Sequence, residues 1–96
     1  MTLDVVSSVS DLPLQNAVSI SPNPNSGFFN LSLDFDGSVD FRASIIDPLG
    51  KVVKQIDIQA KNTSISENKF PAGVYFIRIE GKDGNLMGVK KFVVHE

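Results

Sequence analysis

Few side chains in this 96-residue chain could take part in catalysis, and they do not form a recognisable catalytic group. The only histidine, His95, stands next to the last residue, where chain ends are usually solvated. The chain has no cysteine, which excludes disulfides, thiolate metal ligands and cysteine nucleophiles. Asp34, Asp36 and Asp40 surround a predicted turn, but their spacing does not match a calcium-binding EF-hand loop, and acidic residues are common in turns. We therefore predict no enzyme, no metal site and no cofactor.

The composition predicts one folded domain that neither binds nucleic acid nor spans a membrane. Hydrophobic residues make up 42% and charged residues 21% of the chain, as in ordinary globular proteins. The formal net charge is −2 and the lysines and arginines are scattered, so no basic surface for nucleic acid is expected. No apolar run approaches the ~20 residues of a membrane-spanning helix. The start, Met1-Thr2-Leu3-Asp4, does not resemble a signal peptide, and we expect a fragment of a longer precursor.

Alternating apolar and polar residues predict β-strands along most of the chain. Residues 28–35 and 74–80 alternate in the manner of half-buried strands. Turn signals rich in Gly, Pro, Asn and Asp separate about seven such segments at intervals of ~8–12 residues, and no segment has helical periodicity. The predicted fold is all-β, an immunoglobulin-like antiparallel β-sandwich of about seven strands without its disulfide. Residues 17–96 are expected to form the sandwich, and residues 1–16 a linker or a weak edge strand.

The strand pattern also predicts where individual side chains point. Val52 and Ile58 are expected to share one face of their strand. Tyr75 is expected on the inward face of the next long strand and Phe76 on its outward face. Gly73 precedes that strand, and we expect it to hold a positive φ or to permit a close backbone approach.

Four short motifs occur in order along the chain. They are Ser21-Pro22-Asn23-Pro24, Asp47-Pro48-Leu49-Gly50-Lys51-Val52-Val53, Phe70-Pro71-Ala72-Gly73-Val74-Tyr75 and Lys91-Phe92-Val93-Val94. With these motifs, over about residues 17–95, the chain resembles the type A C-terminal sorting domain of proteins exported by the bacterial type IX secretion system. It departs from the family pattern at Ser21, where an aromatic residue is usual, and at Phe70, which replaces leucine. His95 and Glu96 stand where the family usually ends on a basic residue.

The resemblance implies that the domain directs the export of a protein and does not act on a substrate. The implied partners are an outer-membrane translocon with its shuttle protein, a sortase-like cysteine peptidase that cuts within residues 1–16, and an N-terminal cargo domain in the same precursor. The cargo would cross the periplasm and reach the cell surface or the medium. Strand addition to the last strand is one candidate mode of recognition. The residues expected to be recognised are Gly73, Val74, Tyr75, Lys90, Lys91, Phe92, Val93 and Val94.

Structural roles for the same residues stay open. Gly73 and Tyr75 also suit a turn and the core, and Lys90 with Lys91 would protect an edge strand from unwanted pairing. The alternative functions are an accessory carbohydrate- or surface-binding module of a secreted enzyme, and a structural spacer. A sugar-binding sandwich usually presents exposed aromatic rings, whereas this chain has no tryptophan, one tyrosine, and Phe76 as a single outward ring.

Overall fold

The described part of the chain consists of β-strands and their connections. The computed structural model describes residues 12–66 and 70–95, and no helix occurs among them. The predicted all-β fold is confirmed. The strands are β1 (Val18–Ser21), β2 (Phe28–Leu33), β3 (Phe41–Ile46), β4 (Val52–Ile58), β5 (Asn62–Ser66), β6 (Gly73–Gly81) and β7 (Leu86–Val94).

The strands form two sheets that pack face to face. One sheet has three strands in the order β1-β2-β5, and the other has four in the order β4-β3-β6-β7. Every pair of neighbouring strands is antiparallel. β1 contacts β7 along one side of the sandwich, so the first and last strands meet. This arrangement places both the long β6–β7 pair and the β3–β4 turn in the four-stranded sheet.

The core follows from the alternation that the sequence predicts. Buried and exposed side chains alternate along β2 and along β6. At the centre, the ring of Phe92 lies 4.7 Å from the ring of Phe29 and 5.6 Å from that of Tyr75, measured between centroids. Phe29 belongs to the three-stranded sheet and the other two rings to the four-stranded sheet, so this ring cluster joins the two layers. Aromatic pairs at these separations stabilise a core beyond the area that they bury.

The folded unit reaches further toward the N-terminus than the predicted boundary at residue 17. Leu12 and Leu14 are buried, and Leu14 belongs to the central hydrophobic cluster. Backbone N–H groups of Gln15 and Ala17 donate to the carbonyls of Leu12 and Leu14, which closes a short turn before β1. Residues 12–16 therefore lie against the sandwich, since the side chains of Leu12 and Leu14 are buried. The weak strand predicted near residues 3–6 lies outside the described residues.

The face assigned to Val52 from the sequence is wrong because β4 contains an irregularity. The register pairs Ile45 with Lys54 but Ile46 with Val52, so one extra residue, Val53, stands in β4. A bulge of this kind reverses the face of the residues beyond it. Val52 consequently lies on the outward face with Ile46, whereas Ile58 is buried. Period-two counting from Ile58 cannot detect such an insertion.

Candidate functional site

The outer edge of β7 is covered, at its first half, by the turn that precedes β1. Gln15 acts there as a substitute for a neighbouring strand: its Nε2 donates to the Val89 carbonyl at 2.6 Å, and its Oε1 accepts from the Val89 N–H at 2.8 Å. The Leu14 N–H donates to the Met87 carbonyl at 2.7 Å. An amide side chain can replace a backbone pair because its planar group carries both an N–H donor and a carbonyl acceptor.

The Ser-Pro-Asn-Pro motif covers the second half of the same edge. Asn23 accepts from the Val93 N–H at 2.9 Å through Oδ1, and its Nδ2 donates to the Lys91 carbonyl at 3.4 Å. The Asn25 N–H then donates to the Val93 carbonyl at 2.9 Å, and the Asn25 carbonyl accepts from the His95 N–H at 2.7 Å. An added strand would therefore have to displace residues 14–25, which already bond outward backbone groups of Met87, Val89, Lys91 and Val93.

The Asp47-Pro48-Leu49-Gly50-Lys51 motif forms the tight turn between β3 and β4. The Asp47 carboxylate organises it, since Oδ1 accepts from the N–H groups of Leu49 and Lys51, both at 2.9 Å. Backbone bonds from Asp47 N–H to the Lys51 carbonyl and from Gly50 N–H to the Asp47 carbonyl close the turn. Gly50 adopts φ 89°, which side chains with a Cβ rarely take.

The third motif packs against this turn at Gly73. A Cβ added to Gly73 would lie 3.0 Å from Pro48 Cγ, and the residue has φ 158°, so glycine permits the close approach. Two residues further on, the buried Tyr75 donates its hydroxyl to the Pro71 carbonyl at 2.6 Å. Burial, and then the negative charge of Asp47, raise the pKa of Tyr75 above its usual 10.0, so the phenol stays neutral at physiological pH. Two motifs that are distant in sequence thus form one corner of the sandwich.

A cavity of about 460 Å³ opens at that corner, and we call it the corner pocket. Its volume lies within the usual range for small-ligand sites, roughly 300–1,000 Å³. It is lined by residues 47–49, Val53, residues 70–72 and Tyr75. All of these side chains are apolar or aromatic except the Asp47 carboxylate.

An exposed apolar surface lies on the outward face of the same strand ends, and we call it the outer-face patch. It consists of Ile46, Val52, Val74, Phe76 and Val93, which the register places side by side: Ile46 pairs with Val52 and with Phe76, and Val74 pairs with Val93. Val52, Val74 and Phe76 expose 41%, 42% and 39% of their surface, so the patch is accessible within the described structure. The outward position predicted for Phe76 is confirmed.

Metal-ligating side chains do not gather in the part of the chain that the structure describes. No group of three or more His, Cys, Asp or Glu side chains gathers there to hold a metal ion. Of the three acids weighed as calcium ligands, Asp40 lies 3.6 Å from the amine of Lys82. Over residues 12–66 and 70–95, no helix is long and apolar enough to cross a bilayer.

A comparison with protein families identifies the family of this chain. A family model described as the secretion system C-terminal sorting domain matches residues 19–95. This chain belongs to that family. The sorting domain is a signal that directs translocation across the outer membrane through the type IX secretion machinery, and its cargo is secreted or carried to the cell surface. The family is not catalytic, in agreement with the prediction from the sequence.

Two solved structures share the fold of the sorting domain. The BSP domain of a biofilm associated protein aligns with a TM-score of 0.67 and 18% identity, over 82% of this chain and 14% of that one. A DUF3244 family protein from Bacteroides vulgatus ATCC 8482, described as an immunoglobulin-like β-sandwich, aligns with a TM-score of 0.64 and 22% identity, over 92% of this chain and 90% of its own. Likeness at these identities concerns the fold, and it confirms the predicted immunoglobulin-like sandwich. A comparison with curated proteins found no match.

The residues predicted for recognition divide between the two faces of the β6–β7 pair of the sorting domain. Tyr75, Phe92 and Val94 are buried at 2% exposure or less. Val74 and Lys91 are exposed, and Gly73, Lys90 and Val93 are half-buried. Lys90 pairs with the buried Ile77 and Lys91 with the outward Phe76, so the two lysines lie on opposite faces.

Residues that cover the β7 edge were not singled out from the sequence for that role. Gln15 lies in the segment interpreted as a linker, and no periodicity or turn chemistry marks it. Asn25 is only 2% exposed, and its side chain donates to the Pro22 carbonyl and accepts from the Gly27 N–H. The one signal in the sequence is the position of this asparagine directly after a Pro-Asn-Pro motif, because asparagine side chains commonly hydrogen-bond the backbone of their own turn.

Proposed function

We propose that the secretion machinery recognises the sorting domain as a folded unit, through the outer-face patch and the adjoining Lys91. The observation that supports this most directly is the register of β6 and β7. Val74 lies beside Val93, and Phe76 lies beside Lys91, so the accessible residues of two family motifs stand together on one face. Exposed apolar surface next to a positive charge is typical of a protein-binding site.

The buried side chains of the same motifs hold the outward side chains in place. Tyr75 and Phe92 pack face to face inside the sandwich, 5.6 Å apart between ring centroids. Through the alternation of each strand, they fix the orientation of Val74, Phe76 and Lys91 on the other side. Loss of a buried ring would therefore impair export indirectly, by loss of the fold, whereas loss of an outward side chain would impair recognition alone.

We further propose the individual partners and steps. The outer-membrane translocon and its shuttle protein bind the folded domain after the precursor has reached the periplasm. A sortase-like cysteine peptidase then cuts before residue 12, because Leu12, Leu14 and Gln15 belong to the folded unit and are not accessible as an extended substrate. The cargo lies N-terminal to the sorting domain and is attached at the cell surface.

An export assay tests the recognition surface. Residues 1–96 are fused to the C-terminus of a reporter with a signal peptide, in a host that has a type IX system, and reporter is measured at the surface, in the medium and in the periplasm. We expect the fusion to leave the cell, and Val74→Ser with Phe76→Ser to retain it in the periplasm.

The matched control is Phe28→Ser, because Phe28 is 51% exposed but belongs to the three-stranded sheet. Urea unfolding of each purified variant shows that it is folded. Periplasmic retention of the unmodified fusion would refute the export function of this chain. Normal export of the Val74→Ser, Phe76→Ser variant would refute the assignment of the outer-face patch.

A further inference from the structure

We propose that the corner pocket binds an apolar side chain of an extended partner segment in which a lysine or arginine stands next to that apolar residue. The proposal rests on the proposed function to the extent that this partner is a component of the secretion machinery. It adds to that function a second contact, on the inner side of the same strand ends, with a stated chemistry.

The walls of the corner pocket favour an apolar side chain. Pro48, Val53 and Phe70 provide carbon surface, and the hydroxyl of Tyr75 is already satisfied by Pro71. At the rim, Leu49 exposes 92% of its surface, although the turn that carries it is fixed by hydrogen bonds. A partner that covers this leucine would remove its apolar surface from water, which favours binding.

The charge at the pocket selects the residue beside that apolar side chain. Asp47 is the one carboxylate of the lining, and its Oδ1 accepts two backbone N–H groups, which fix its position in the turn. Within the described residues no lysine or arginine forms an ion pair with Asp47; the ion pairs that occur there involve Arg78 and Lys82. A cation on the partner would supply the missing counter-charge, and an acidic partner would be repelled.

The corner pocket and the outer-face patch adjoin at the ends of β3, β4 and β6. Three patch residues are next to a pocket residue along the chain: Ile46, the last residue of β3, precedes Asp47; Val52 precedes Val53; and Phe76 follows Tyr75. Successive residues of a strand point to opposite faces, so the pocket and the patch lie on the two sides of the same strand ends. One partner can therefore contact the patch and insert a side chain around the β3–β4 turn.

The test uses the purified 96-residue chain and short capped peptides as probes. The acetylated and amidated peptide Ser-Leu-Arg-Ser is titrated into ¹⁵N-labelled protein, beside the matched peptides Ser-Ser-Arg-Ser and Ser-Leu-Glu-Ser. We expect saturable shifts confined to residues 47–53 and 70–75. Replacing either the leucine or the arginine of the peptide should weaken binding about tenfold, as expected when one buried apolar contact or one ion pair is lost.

Two protein variants test the same two features. Asp47→Asn keeps a carbonyl oxygen for both turn N–H groups and removes the charge, and Leu49→Ser removes the rim contact. Their controls are Asp36→Asn, in the connection before β3, and Leu86→Ser, an exposed leucine at the start of β7. The pocket variants should weaken binding of the Ser-Leu-Arg-Ser peptide about fivefold or more, and the controls should not.

Absence of saturable shifts, shifts that lie elsewhere, or equal binding of the glutamate peptide would each overturn the proposal. Equal binding of N-acetyl-leucine amide would also overturn it, because the site would then hold a small apolar molecule and select no basic neighbour. These outcomes do not depend on export. A fusion that fails to leave the periplasm refutes the proposed function, whereas a negative titration with an exported fusion refutes the corner pocket alone.

Discussion

Substitution of Gln15 tests the closure of the β7 edge quantitatively. Its side chain makes two hydrogen bonds with Val89, at 2.6 and 2.8 Å, in a partly buried position. A hydrogen bond contributes about 1 kcal/mol net to stability, so Gln15→Met, which keeps the size and removes both bonds, should cost about 2 kcal/mol. With a urea slope of about 2 kcal/mol/M, the midpoint of unfolding should fall by about 1 M.

Gln15→Glu removes one of the two hydrogen bonds and makes the loss of stability depend on pH. At pH 7 the introduced carboxylate still accepts from the Val89 N–H, but it faces the Val89 carbonyl without a proton to donate. Because folding disfavours its charged form, the carboxyl has a folded pKa above the unfolded value of about 4.3. The destabilisation relative to the unmodified chain should therefore be absent below about pH 4 and appear as the pH rises through the folded pKa.

The assay is urea unfolding over this pH range, together with hydrogen exchange of the Val89 amide, which should lose protection in Gln15→Met, where the acceptor is removed, and keep it in Gln15→Glu. Gln55→Glu is the matched control: Gln55 Nε2 donates to the Ser44 hydroxyl at 3.3 Å, and that hydroxyl can donate to a carboxylate instead. An unchanged midpoint for Gln15→Met, with unchanged Val89 protection, would refute the assignment of Gln15 as the cover of this edge.

Three further predictions concern the motifs. Gly73→Ala should lower the free energy of unfolding by about 1–3 kcal/mol, because the added Cβ would press on Pro48. In a Pro48→Ala background this loss should be smaller. If the two substitutions have additive effects, the close approach between Gly73 and Pro48 is not the cause. Tyr75, the single tyrosine, should titrate above pH 10.0 when its ultraviolet absorbance is followed. The free energy of unfolding should not change with its ionisation below about pH 10, and it should fall as the pH rises through the raised pKa. A titration midpoint at or below pH 10.0 would contradict the burial of this side chain. Asn25→Ala should cost about 1–3 kcal/mol by urea unfolding, because the buried Gly27 N–H and the Pro22 carbonyl both lose a hydrogen bond. A cost no greater than for an exposed asparagine would show that water replaces the side chain.

Local alternation was sufficient to predict the all-β fold and several side-chain directions. Phe29 and Tyr75 point inward and Phe76 outward as the period of two requires, since each strand is half-buried. The pattern failed at Val52, where one extra residue in β4 changes the face without any change in composition. Sequence alternation describes a strand by itself, whereas a bulge depends on the partner strand.

The candidate site depended on contacts between distant residues, which no local pattern contains. Pro48 and Gly73 belong to motifs that were each interpreted as turns, yet the corner pocket exists only because they pack together. Gln15 and Val89 are 74 positions apart, and a glutamine in a polar segment carries no signal of such a pairing. Burial of Leu14, which brings Gln15 to the edge, was missed because a single leucine between polar residues does not define a strand.

The pairing of residues 14–25 with β7 also has a consequence for the order in which the domain can fold. These contacts join positions separated by 68 to 74 residues, so they close nearly the longest loops that the chain allows. Contacts of such high sequence separation form late and slow folding, because the entropy of the intervening chain is lost before they stabilise anything. During synthesis, a chain that ends before Leu86 lacks β7 altogether, and β6 then presents an open edge in place of a finished sheet. The surface that carries Lys91 and Val93 therefore exists only in molecules whose synthesis has run to the end of β7.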